Sequence, residues 1–189
     1  MSIFARFFGF KSSVVVYARP EALSSPSASM LPAVVRATNL ISADIARLPF
    51  HVVDSDGQMV DSPVTQLLTR DASRWQSGYE FRRYITSAAL EAGNGIALIR
   101  RDNSGAIAEL QPLPSNSTSV ELTENGVEYR VGSTTLAADQ VFHLGCYPDP
   151  FSPAWFVSPM DSCKHAMQLA ADQEAAHAAL IRTGSTGKV

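Results

Sequence analysis

The chain is organised around Tyr79 to Leu113, YEFRRYITSAALEAGNGIALIRRDNSGAIAELQPL, its best-specified stretch. Ser77 followed by Glu80 is a capping box: the hydroxyl accepts from a free N–H of the first helical turn, and the carboxylate reaches back to the cap. Behind it, Phe81, Tyr84, Ile85, Ala88 and Ala92 recur at helical spacing and predict one apolar face. Gly93 stands where the helix must leave through left-handed backbone, which glycine adopts without a Cβ penalty. The period then changes. Residues 96–99 are continuously apolar and predict a strand buried on both sides, and Asp102-Asn103-Ser104-Gly105 supplies turn chemistry. Residues 106–110 return as a second strand, and Pro112, lacking an N–H, is expected to end the pairing. The result is a helix docked under a hairpin.

The rest of the chain adds elements around this unit. Pro20, Pro26 and repeated serines exclude a long regular element from residues 12–29. A long helix is predicted over 31–48, with Pro32 in its first turn and Pro49 after its end. Val34, Thr38, Ile41, Ile45 and Leu48 mark its core-facing stripe. Residues 50–53 read as a short strand before a turn at 54–57, and Ser62-Pro63 opens a short helix with Val64, Leu67 and Leu68 inward. Further on, Val120 and Leu122, then Val127, Tyr129 and Val131, alternate as a hairpin around Glu124-Asn125-Gly126. Glu121, Glu124 and Glu128 beside that turn read as solvent-facing.

Residues 141–144 read as the last strand, and the proline-rich stretch 147–159 as an irregular packed loop. Ser158 and Pro159 are cap and first position of a second long helix over 159–182, with a stripe through Ala166, Leu169, Gln173, Ala176 and Leu180. Gly184 ends it. The fold class is α+β: two long helices and a short helix packed against antiparallel β-hairpins. The expected organisation is an N-terminal arm over 1–29, one domain over 30–183 and a tail over 184–189.

Composition narrows the function. With 189 residues, 46% of them apolar, the chain can bury a core of its own. A net charge of −3 and a pI near 5.8 oppose a tight grip on duplex DNA, which needs Lys and Arg at many phosphates. Two cysteines make no disulfide framework and fit a reducing compartment. No apolar run approaches the roughly 20 residues of a membrane helix. The start, MSIFARFFGFK, carries Phe4, Phe7, Phe8 and Phe10, but Arg6 and Gly9 interrupt it as a signal peptide. It reads as an arm that packs on a neighbour.

Candidate chemistry is sparse. His143, Cys146, Cys163 and His165 form a nominal zinc set or a Cys–His nucleophile pair. Cys163 and His165 would diverge by about 200° on a helix, and structural zinc sites space their cysteines differently. Nothing supplies a third orienting group for a nucleophile. Neither a metal, a cofactor nor a catalytic residue is therefore expected. Gly184 to Lys188, GSTGK, lacks the spacing and the strand–loop–helix setting of a phosphate-binding loop. Arg82-Arg83 and Arg100-Arg101 are the basic pairs. Neighbours on a helix diverge by about 100°, so these read as solvated surface, with contact to another copy of the chain as the alternative.

The order of these motifs resembles that of bacteriophage portal proteins, in the long-tailed-phage, HK-type group that gene transfer agents also use. The resemblance rests on the capped helix, Gly93-Asn94-Gly95, the apolar strand, the Asp-x-x-Gly turn and Glu109-Leu110-Gln111-Pro112-Leu113. Upstream it includes VVRATNLISADIARLPFHVV and SPVTQLL; downstream it includes GVEYRV, the Asp139-x-x-x-His143 strand and Ser158-Pro159. The chain is similar to the N-terminal wing portion, whereas family members are about twice as long and continue into stem and clip.

The resemblance implies a non-catalytic subunit in a ring of portal copies at one capsid vertex. It implies contacts with major capsid protein, terminase motor and head–tail adaptor, with DNA passing transiently and without sequence specificity, in the virion or the host cytoplasm during assembly. Rival expectations are a small Cys/His hydrolase and a free-standing assembly or nucleic-acid-binding module.

Overall fold

The computed structural model describes residues 15–17, 31–123 and 126–184. The remainder of the expected N-terminal arm, Glu124 and Asn125, and the last five residues of the tail lie outside the described residues. The helices are α1 (Pro32–Arg47), α2 (Pro63–Thr69), α3 (Gly78–Ala92), the short α4 (Pro159–Ser162) and α5 (Lys164–Thr183).

Strands β6 (Asn94–Arg101), β7 (Ile107–Leu113) and β11 (Val141–Gly145) make an antiparallel sheet in the order β11-β6-β7. A second antiparallel sheet orders β1 (Val15–Tyr17), β8 (Thr118–Thr123), β9 (Gly126–Val131) and β10 (Thr134–Ala137) as β1-β8-β9-β10. Three two-stranded hairpins complete the set: β2 (Val52–Val53) with β3 (Met59–Val60), β4 (Asp71–Ser73) with β5 (Gln76–Ser77), and β12 (Tyr147–Asp149) with β13 (Ser152–Val157). The class is α+β, as expected.

Strand β6 is the centre of the molecule because its two faces serve two cores. Ala97 points into a cluster with Phe81, Ile85, Leu67, Ala72 and Leu110, which joins α3 and α2 to the sheet. Ile96 points the other way, into a cluster with Val120, Tyr129, Val141, Ala154 and Trp155 that joins β6 to the second sheet and β13. The two-sided apolar run therefore has the layered setting it implies. A third cluster of Leu31, Met160 and Met167 ties α1 to α4 and α5.

The capping box forms as its spacing predicts. Glu80 N–H donates to Ser77 Oγ at 3.3 Å, and Ser77 N–H donates to Glu80 Oε2 at 2.9 Å. Gly93 ends α3 in left-handed backbone, with φ 79°.

Several expectations need correction. Pro112 lies inside β7, opposite Ala97, rather than ending the pairing. Strand β7 is an edge of its sheet, where a missing donor is tolerated. Residues 147–157 form the β12–β13 hairpin instead of an irregular loop, so β11 is not the last strand. Prolines 148 and 153 fit there because an isolated two-stranded hairpin consists of two edges, and burial of Ala154 and Trp155 holds it in place. Tyr84 is 43% exposed; the buried line of α3 runs through Phe81, Ile85 and Ala89.

The stripe expected on α1 also shifts. Thr38 is buried as expected and Val34 packs against the third cluster, but Ser42 and Ala46 complete the buried line while Ile41, Ile45 and Leu48 face solvent. The small residues allow α1 to approach α3 closely. In the C-terminal helical region the chain breaks at Cys163, and α5 buries only Met167. Leu169 and Leu180 of its expected stripe are exposed. Glu121 is buried rather than solvent-facing, and its carboxylate pairs with Arg130 Nη2 of the adjacent strand at 3.1 Å.

Candidate functional site: a buried asparagine–histidine junction

Among the residues singled out in the sequence, the structure brings Gly93, Asn94, His143 and Ser158 together where α3, β6, β11 and β13 meet. The last carbonyls of α3 have no partner within the helix. Two side chains take that role. Ser158 Oγ donates to Leu90 O at 2.9 Å, and Asn94 Nδ2 donates to Ala92 O at 3.1 Å. Ser158 also caps α4, accepting from Met160 N–H at 2.9 Å and Asp161 N–H at 3.4 Å. Pro159 occupies the first helical position after it. Gly95 sits in β6 against the Ile85 carbonyl, where a Cβ would collide.

Asn94 is fully buried and uses both ends of its amide. Besides Ala92 O, its Nδ2 donates to Phe156 O at 2.8 Å, while its Oδ1 accepts from Phe156 N–H at 3.2 Å. The side chain thus pairs with the Phe156 backbone as a neighbouring strand would. Oδ1 also lies 2.9 Å from His143 Nε2, and since a carbonyl oxygen only accepts, Nε2 carries the proton. His143 Nδ1 is then an acceptor, satisfied by Tyr129 OH at 3.0 Å. Every link in the chain Asn94–His143–Tyr129 has one donor and one acceptor. The amide orientation is fixed too, because only Nδ2 can serve the two carbonyls.

The imidazole is enclosed by the rings of Tyr129, Trp155 and Phe156, with centroids 5.5, 6.3 and 5.3 Å away. Burial disfavours its charged form and lowers its pKa from 6.5 to about 4. Burial likewise raises the Tyr129 phenol. This arrangement locks a neutral histidine in one tautomer; it does not prepare a general base, since both ring nitrogens are occupied within the chain.

The low pKa gives the first expected result. Between pH 6.5 and about 4 the unfolded chain binds a proton at this position that the folded chain does not. Stability is therefore full above pH 6.5 and falls on acidification to about pH 4, by roughly 3 kcal/mol at about 1.4 kcal/mol per pKa unit. Glu80 and Asp102 have lowered pKa values, held down chiefly by hydrogen bonds from Ser77 and from Ser104 respectively. Their contributions vanish only at lower pH, through the depressed carboxylate values. Urea unfolding of wild type and His143→Gln at pH 7, 5.5 and 4.5 checks this. The wild type should lose stability across the series and the variant should lose much less. Equal slopes would place the acid sensitivity elsewhere.

The other candidates are scattered. Cys146 and Cys163 are free thiols, and burial raises the pKa of Cys146, the opposite of what a thiolate nucleophile needs. Among the described residues no three His, Cys, Asp or Glu side chains group so as to hold a metal ion, and no helix is long and apolar enough to cross a membrane.

The four arginines have partners inside the chain. Arg82 Nη1 donates to Leu48 O at 2.6 Å and its guanidinium stacks 4.8 Å above the Phe50 ring, while Arg83 Nη2 donates to Asn39 Oδ1 at 2.9 Å. These two fasten α3 to α1 and the residues after it. Arg100 Nε donates to Gln111 Oε1 at 3.1 Å, and Arg101 to the carbonyls of Gly105 and Asp139.

Sequence reasoning missed the Asn94 side chain, reading only its place after Gly93. A polar residue opening an otherwise apolar buried strand was the available signal.

At this junction the inward polar groups of Asn94, His143, Tyr129 and Ser158 all bond within the chain and hold α3, β6, β11 and β13 together. Residues 32–189 match the phage portal protein family, and the chain belongs to it. Over 119 residues it is 32% identical to the portal protein of Enterobacteria phage HK97, covering 58% of this chain and 28% of that protein.

Among solved structures, a chain in the neck of an empty gene transfer agent particle superposes with a TM-score of 0.74 at 21% identity, covering 94% of this chain and 50% of that one. A chain from the native gene transfer agent virion gives 0.72 at 22% identity, with 92% and 48% covered. An HK97-family portal protein from Corynebacterium diphtheriae gives 0.59 at 20%, with 88% and 51% covered. The chain therefore spans about a quarter of the curated relative and about half of the structural ones.

Proposed function

We propose that residues 30–183 form the wing of a portal subunit, one of a ring of copies at a single capsid vertex through which DNA is packaged and ejected. The observation that carries this reading is the family match over residues 32–189. The gene transfer agent neck computed with twelvefold symmetry, which contains a chain of the same fold, supports the ring. In this role the chain performs no chemistry. Major capsid protein, terminase motor and head–tail adaptor are its partners, and DNA passes without sequence-specific contacts, in keeping with the acidic charge balance. The virion is its destination, after assembly in the host cytoplasm. The saturated hydrogen bonding of His143 and the raised pKa of Cys146 weigh against the hydrolase alternative.

Blocking production of this chain in its host tests the reading. Heads should then form without packaged DNA, with nuclease-resistant DNA falling to background and returning when the gene is supplied in trans. DNA-filled heads in its absence would overturn the proposal.

A further inference from the structure

The β4–β5 turn presents Arg74 and Trp75 at the N-terminal end of α3. Trp75 is 68% exposed, although an indole is among the side chains most favoured at interface centres. The Arg74 side chain is 93% exposed and forms an ion pair with Glu109 at 3.3 Å. Toward the C-terminal end of the same helix lies a groove of about 460 Å³, lined by Tyr84, Ala88, Glu91, Pro114 and Ser115 among others. Pockets of about 300 Å³ already accept ligands larger than an indole. Its wall is mixed: the Tyr84 ring and Ala88 offer apolar surface, and Glu91 offers a carboxylate.

A knob and a hole on one rigid helix, displaced along its axis, cannot meet within one chain. They can meet between copies. The geometry points to a head-to-tail contact in which Trp75 of one subunit enters the Tyr84–Ala88–Glu91 groove of the next. Charge suits the same pairing: beside Trp75 stands the cationic Arg74, whose Nε holds Glu109, and the groove carries the carboxylate of Glu91. A patch that contacts a different patch on its neighbour is heterologous, and repetition of such a contact closes a ring when the rotation allows. Trp75 is then an anchor rather than an incidental exposed aromatic, carried on a turn whose second strand ends at Ser77, the cap of α3.

This inference rests on the portal reading, and its test separates the two. In particles assembled in the host from chain carrying p-benzoylphenylalanine in place of Trp75, illumination should link one copy to residues 84–92 or 114–116 of another. The link would be seen as a dimer band and mapped by mass spectrometry. Trp75→Ala should raise the concentration needed for half assembly about tenfold or more, the loss expected for a truncated interface tryptophan. Its melting temperature should stay unchanged, because the side chain is mostly in solvent. Rings that assemble normally with Trp75→Ala, or crosslinks that map elsewhere, overturn this contact and leave the portal reading standing. Particles that contain no ring of this chain overturn both.

Discussion

Gly93→Val is expected to lower stability by about 4 kcal/mol or more, a size reserved for a few specific mechanisms. Two of them coincide here. The residue holds φ 79° at the end of α3, and a β-branched side chain forced into that backbone costs about 1–3 kcal/mol. A Cβ would also collide with the Phe156 carbonyl and lie 2.9 Å from Ser158 N, both backbone atoms of the segment that Asn94 and Ser158 tie down. Gly57 separates the two effects, since it has φ 77° with nothing within 4 Å of an added Cβ. Gly57→Val should show the backbone cost alone. At about 2–4 °C per kcal/mol for a chain of this size, Gly93→Val should melt roughly 10 °C or more below wild type. Matching shifts for the two variants would show that the close approach to Phe156 contributes nothing.

Asn94→Ala is the second large effect. It removes four hydrogen bonds at a fully buried position. His143 Nε2–H, the Phe156 N–H and two carbonyls lose their partner, and each unsatisfied buried group costs about 1–3 kcal/mol. A total loss of about 3–5 kcal/mol is expected after partial relaxation. Asn116→Ala, at an exposed position in the single 3-10 turn before β8, should change stability by less than about 0.5 kcal/mol. Chemical denaturation of the two variants at pH 7 makes the comparison. A loss under about 1 kcal/mol for Asn94→Ala would mean that the junction is not what joins α3 to β13.

The parts of this architecture legible in the sequence are those whose partners lie within a few residues. Ser77 and Glu80 find each other across one helical turn, Gly93 needs only its own backbone, and Ser158 caps the residues that follow it. The junction itself is different. Asn94 meets His143 and Phe156 across 49 and 62 residues, so its bonds depend on strand register that no local pattern encodes.

Periodicity on α1 announced an apolar face correctly but assigned it to this chain's own core. Thr38 of that face does lie there, but Ser42 and Ala46 complete the buried line, leaving Ile41, Ile45 and Leu48 outward. Prolines 148 and 153 misled in the opposite direction. A proline rule that holds for central strands does not exclude a hairpin made of two edges.

The central claim, that this chain builds the wing of a portal ring, is tested most directly by imaging particles from cells that make it. Cryo-electron microscopy focused on single capsid vertices should find this fold, with β6 sandwiched between α3 and the second sheet, repeated around a closed ring at one vertex per particle. The fold at many vertices, or its absence from particles that hold DNA, would contradict the account.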